Sequence, residues 1–102
     1  MEMILAGNQI DAQEALRIGL VTKVVPLLDL LPAAEAVAKT ILSKGQLAVR
    51  MSLKAINASM EMPLSEGLKV EAALFGECCS TMDAKEGISA FLEKRKPSFK
   101  GR

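Results

Sequence analysis

Histidine is absent from this 102-residue sequence. That removes the commonest metal ligand and the commonest general base, so no metal site and no Ser–His or Cys–His dyad is expected. Trp and Tyr are missing as well, and three Phe are the only aromatic residues. Any core must therefore be built from Leu, Ile, Val, Ala and six Met. No apolar run approaches the ~18–20 residues needed to span a bilayer. Glu2 interrupts an apolar start that lacks a basic region, so neither a membrane partner nor a secretory signal is expected. The seven glycines stand singly, which excludes a Walker loop or a dinucleotide fingerprint, and no cofactor is expected. No segment repeats at a fixed period, and nothing is of low complexity.

What the sequence does hold is apolar. Half the residues are hydrophobic, and mean hydropathy is +0.25, high for a chain that makes one domain at most. A chain of this length buries roughly 60–70% of its unfolded surface. The surplus of apolar residues points to a protein surface left uncovered. Cys78 and Cys79 are adjacent. Neighbouring cysteines rarely bridge, because a trans peptide holds their Cα atoms closer than disulfide geometry favours. Two free thiols fit a reducing compartment, so a cytoplasmic location is expected. One of the two lies on an apolar stripe and nothing basic is close in sequence, so both are read as structural.

Charge is uneven. Residues 93–102 (EKRKPSFKGR) carry a net +4, and the first 92 residues carry −3. Such a tail suits a phosphate-bearing ligand, a nucleic acid, or simply a solvated C-terminus kept soluble by its charges. The last is the plainest reading. Nucleic acid is not an expected partner, because the body offers no basic or aromatic surface to continue the patch.

The spacing predicts an all-α bundle of about five to six short helices, with at most one short strand near residues 20–25. Met1 to Ala6 reads as the last turn of a helix closed by Gly7, a helix without a visible beginning. Asp11 and Glu14 make a capping-box-like start for a second helix, which runs to Arg17 or Ile18 and stops at Gly19. Leu20 to Val25 is rich in β-branched residues and reads as a strand or extended stretch ending at Pro26. Asp29 caps a third helix with Pro32 in its first turn, Val37, Ile41 and Leu42 on its stripe, and Gly45 as its stop. A fourth runs from about Leu47 to Ser59, with Ala48, Met51, Ala55 and Ile56 on one face. Pro63 starts a fifth, Leu64 to Cys79, whose stripe is Leu64, Leu68, Ala72, Phe75 and Cys79. Ser80 or Thr81 caps a sixth, with Ser80 and Asp83 in a capping-box pattern, Ala84, Gly87, Ile88, Phe91 and Leu92 on its stripe, and an end before Pro97. Gly67 and Gly87 sit inside helices at a cost of about 1 kcal/mol each, which suggests close approach of a neighbouring helix or chain.

Four segments in this order carry a resemblance over essentially the whole chain. MEMILAGNQIDAQEALRIGLVTKVVP is similar to a helix ending in L-T-G followed by A-x-E-A-x-x-x-G-L-V, with Ala12, Glu14, Ala15, Gly19, Leu20 and Val21 in place. AVRMSLKAIN and PLSEGLKVEAALF follow with matching spacing, and DAKEGISAFLEKRKPSFKGR closes with "EG", an aromatic residue and "KRKPxF". Together they resemble the C-terminal helical region of the crotonase (enoyl-CoA hydratase/isomerase) family.

The resemblance implies a helical domain over residues 1–102 that builds trimer contacts and caps the CoA site. The β-rich core that carries the oxyanion hole and the catalytic carboxylates of such acyl-CoA enzymes is expected to precede Met1. No catalytic residue is then expected here, and Glu2 and Asp11 read as an ordinary helix-end acid and an ordinary cap. By position, Phe91 and Lys94 match the aromatic residue and lysine that contact the adenine and phosphate end of CoA, with Arg95 and Lys96 as weaker matches. A ring offers adenine a stacking face, and an ammonium one turn later meets phosphate. Phe91 on its own spacing is equally a core residue. The implied partners are further copies of the chain, in a dimer or larger assembly, and acyl-CoA only within the full-length enzyme. The alternative is a stand-alone helical protein-interaction module derived from this family.

Overall fold

The structure, a computed structural model, describes residues 2–102. Among them are six α-helices, one 3₁₀ turn and no strand, the all-α arrangement the spacing predicts. The chain divides into two compact units, residues up to Ala36 and Val37–Arg102.

The first unit holds α1 (Glu2–Ala6), α2 (Ala12–Arg17), the 3₁₀ turn Leu27–Asp29 and the start of α3 (Leu30–Leu42). Met1, the first residue of the expected last helical turn Met1 to Ala6, lies outside the described residues. Asp11 caps α2, its carboxylate accepting the Glu14 amide at 2.7 Å. The reciprocal half of the box does not form, because the Glu14 carboxylate turns to the Arg17 guanidinium at 2.6 Å. The helix stops at Gly19, whose φ of +75° lets the Leu20 amide reach back to the Ala15 carbonyl at 2.9 Å. Ala15 is the buried residue of this unit. Residues 20–25 run outside any ladder, so the β-branched stretch is extended chain, not strand. Asp29 closes the 3₁₀ turn that leads into α3, and does not stand alone as its cap.

The second unit holds α4 (Gln46–Ser59), α5 (Leu64–Cys79) and α6 (Met82–Leu92). The principal helix contact is between α4 and α5, with a smaller one between α5 and α6. Two sequence expectations change here. Gly45 does not end α3 with a left-handed turn; it is the N-cap of α4, with φ −60° and ψ 115°. The terminal carbonyls of α3 are met instead by the Gln46 side chain. Pro63 is the N-cap of α5, which keeps the predicted limits Leu64–Cys79. Thr81, not Ser80, caps α6, its Oγ1 accepting the Ala84 amide at 3.1 Å, while the Ser80 hydroxyl donates to the Glu77 carbonyl. This frees Asp83 for another use.

The side chains facing between α4 and α5 line an open groove of about 630 Å³ that includes Met51, Ala55, Ile56, Leu68, Ala72 and Phe75. Cys78 lies on this groove and Cys79 is exposed, so the stripe of α5 is rotated by one residue from the predicted one at its C-terminal end. Both thiols are free. Only alanines, Ala15 and Ala90, make up the buried hydrophobic residues, and no large side chain is fully buried among the described residues. Phe75 is 70% exposed. An unfilled apolar face of this kind is the surplus that composition predicts.

Gly76 lies inside α5, and a methyl group there would meet nothing within 4 Å. Gly76→Ala should therefore stabilise the helix by about 1 kcal/mol through propensity alone, read as a higher thermal midpoint by circular dichroism. A lower midpoint would mean that this face is already packed in solution.

Candidate functional site

The end of α6 and the segment after it form the best-defined polar arrangement in the chain. Residues 95–102 do not trail into solvent, as the plainest reading of the basic tail expected. They fold back along α6 as a strap. Its far end is held by Asp83, only 6% exposed, whose two carboxylate oxygens accept the amides of Lys100 and Gly101 at 2.7 and 2.8 Å. The Asp83 amide in turn donates to the Arg102 carbonyl at 3.0 Å. Ionised acceptors of backbone N–H groups are among the stronger hydrogen bonds in proteins.

Its near end is held by Glu86. This carboxylate takes both guanidinium nitrogens of Arg95, at 2.6 and 3.0 Å, and the Ser98 amide at 2.7 Å. Arg95 also donates from Nε to Glu93 at 2.6 Å. Between these anchors the Phe99 ring covers Gly45 and Gly87. It would stand 3.5 Å from a methyl group added at Gly87 and 3.6 Å from one at Gly45. Gly87 is thus approached by an aromatic ring of the strap, where the sequence suggested a neighbouring helix or chain. Gly67 has looser neighbours, Met62 and the Ser59 backbone, at 3.9 Å from such a methyl.

The hydrogen bonds from Arg95, followed by that from the Ser98 amide, hold the Glu86 carboxyl down to about 2, from an ordinary 4.5. The Arg95 guanidinium is pushed up by the same pairing, with Glu93 adding to it. Because the folded-state value of Glu86 lies below the unfolded one, its stabilising contribution is complete above about pH 4.5 and is lost as pH falls towards 2. The strap should accordingly stay docked at pH 4 and begin to release only near pH 2–3. Amide exchange at Ser98 across an acid titration reads this directly, and release already at pH 4.5 would contradict it.

The two residues matched to CoA lie at the other face of this arrangement. Phe91 is in the last turn of α6 and is 81% exposed, beside exposed Ile88 and Leu92. In this chain it is not a core residue. Lys94 lies two residues beyond the end of the helix, with φ +54°, and it is the one non-glycine residue with positive φ among those described. Its amide donates to the Phe91 carbonyl at 3.2 Å. The pair is thus separated by one further turn, as the spacing suggested, with Glu93 still right-handed, and the chain turns away only at Lys94. Of the weaker matches, Arg95 is committed to Glu86 and Glu93, and Lys96 is exposed. Glu2 is exposed in α1, and Asp11 is the cap of α2. No group of three or more His, Cys, Asp or Glu residues able to hold a metal gathers among the described residues, and none of the described helices is long and apolar enough to cross a membrane.

By sequence Asp83 reads as a capping-box partner, and Glu86 and Phe99 only as letters of the "EG" and "KRKPxF" motifs; none of the three reads as an anchor of the tail. Glu86 and Arg95 are nine residues apart and pair only because the helix has ended between them, a relation that helical spacing does not suggest. The signal that existed was the repeated acid–basic complementarity between the start of α6 and the tail.

The sequence model of the enoyl-CoA hydratase/isomerase family matches residues 1–102. The chain belongs to this family. It is 49% identical over 98 residues to a crotonyl-CoA hydratase of Syntrophomonas wolfei, covering 96% of this chain and 38% of that protein. It is 44% identical over 100 residues to a mitochondrial enoyl-CoA hydratase of Pongo abelii, covering 98% and 34%. Among solved structures, an enoyl-CoA hydratase of Bacillus anthracis superposes with a TM-score of 0.94 at 40% identity, over 99% of this chain and 39% of that one. The chain of this family member thus spans little more than a third of the relatives it matches.

Proposed function

We propose that this chain is the C-terminal oligomerisation and active-site-capping part of an acyl-CoA hydratase/isomerase, the parent reaction being hydration or isomerisation of enoyl-CoA thioesters. It does not turn over substrate alone. Within the assembled enzyme, Phe91 supplies a stacking face for the adenine of CoA, and Lys94 supplies a cation for its phosphates. The observation that carries this reading is the exposed Phe91 at the end of α6 with the Lys94 backbone folded against it. A ring 81% exposed on a family member's terminal helix is better explained by a ligand or partner than by packing within the chain.

The apolar groove between α4 and α5, together with the exposed faces around it, supports self-association into a dimer or larger assembly. The same faces would serve a stand-alone interaction module derived from this family, which is the second reading. The free thiols favour a reducing, cytoplasmic setting, although two relatives are named as mitochondrial.

The test is titration of CoA against the full 102-residue chain, followed by amide spectra. Shifts confined to residues 88–96, weakened in Lys94→Met and Phe91→Ala, support the capping role. An unchanged spectrum at saturating CoA removes it and leaves the interaction module.

A further inference from the structure

Resting on the CoA reading of Phe91 and Lys94, we infer that Glu86 is a positioning residue for that pair: by gripping Arg95 and Ser98 it stops α6 at Leu92 and holds Lys94 in its left-handed turn. Two chain conformations compete at this point. Glu93, Lys94, Arg95 and Lys96 are ordinary helix formers, and nothing in their side chains ends a helix before Pro97. Propagation would carry α6 on to Arg95, because the proline keeps Lys96 out of the helical region. The observed path instead puts a lysine at positive φ, a conformation strained for any residue with a Cβ.

Glu86 decides between them on geometric grounds. On a continuous helix, nine residues amount to about two and a half turns and about 13.5 Å, so residues 86 and 95 would face opposite sides. The bidentate pair of Glu86 with Arg95, at 2.6 and 3.0 Å, therefore exists only when the helix has stopped. The Ser98 amide on the same carboxylate requires the same reversal, as does the Arg95 amide bond to the Ala90 carbonyl at 3.0 Å. Each of these contacts is lost in the propagated helix, and with them the left-handed turn at Lys94. Glu86 touches neither proposed contact of CoA; it acts through the backbone of the residues between.

The experiment compares the wild-type chain with Glu86→Gln, both shown to be folded by circular dichroism. In the wild type, Lys94 should show the strong cross-peak between its own amide and α proton that marks positive φ. Glu86→Gln should lose it, with residues 93–95 moving to helical carbon shifts. The CoA-induced shifts at Phe91 and Lys94 should then require roughly tenfold more ligand, the factor expected if the stopped state falls to about a tenth of the population. Adding Lys94→Gly to Glu86→Gln should restore slow exchange of the Arg95 amide, because glycine adopts the left-handed turn without strain. A Glu86→Gln chain that keeps the cross-peak overturns the inference. If CoA shifts nothing in the wild type, the role given to Lys94 fails; the cross-peak still decides, separately, whether Glu86 sets its backbone.

Discussion

Replacing Asp83 with Ala should release the strap and cost about 3 kcal/mol, the largest effect expected of any single polar substitution in this chain. Asp83 is 6% exposed, and its two oxygens satisfy the Lys100 and Gly101 amides. Removing them leaves two donors short of partners and takes away two charge-assisted hydrogen bonds, each worth about 1.5–3 kcal/mol. The released segment carries Phe99 with it, uncovering Gly45 and Gly87. Asp83→Asn should be nearly as damaging, since the amide group presents one oxygen and turns an N–H towards a second N–H. Thermal melts together with amide exchange at residues 98–101 measure both. A chain that keeps those amides protected after Asp83→Ala is not held as the hydrogen bonds imply.

Charging the α4–α5 groove should abolish association while leaving the helices intact. Ile56 and Phe75 line the groove and are both mostly exposed. A carboxylate in place of either costs the isolated chain little. In an interface that buries this face, each substitution loses about 1.5–3 kcal/mol of apolar burial and adds the cost of desolvating an ion. Ile56→Asp/Phe75→Asp should weaken association by at least about a hundredfold, or about 2.7 kcal/mol, with the far-ultraviolet spectrum unchanged. Light scattering across a dilution series reads the first quantity. Association that survives both charges would place the contact on another face.

The helices were largely legible because their stops and caps are local. Asp11, Gly19 and the limits of α5 act where the sequence puts them, since each depends on a few neighbouring residues. The misreadings came where two local signals compete for one residue. Gly45 looks like a stop for α3 but is the cap of α4, and Ser80 and Thr81 both offer a hydroxyl at the start of α6. The extended stretch at residues 20–25 has strand composition but no partner among the described residues, and propensity alone does not make a sheet.

The candidate site was legible only as a position in a pattern. Phe91 and Lys94 follow from the family resemblance, and their three-residue spacing suggested one helical face. That the chain turns away at Lys94 depends on Glu86 pairing nine residues away and on Asp83 meeting amides seventeen and eighteen residues away. No periodic pattern encodes such contacts. The basic tail was read as solvated because its charges are visible in sequence while the carboxylates that receive it lie in a different segment.

If this chain is an associating part of a CoA enzyme, its apolar faces are made to be covered. Sedimentation equilibrium of the unmodified 102-residue chain, at concentrations up to tens of micromolar, should then give a weight-average mass that rises with concentration to a dimer or larger assembly. A constant monomer mass across the range would overturn the proposal.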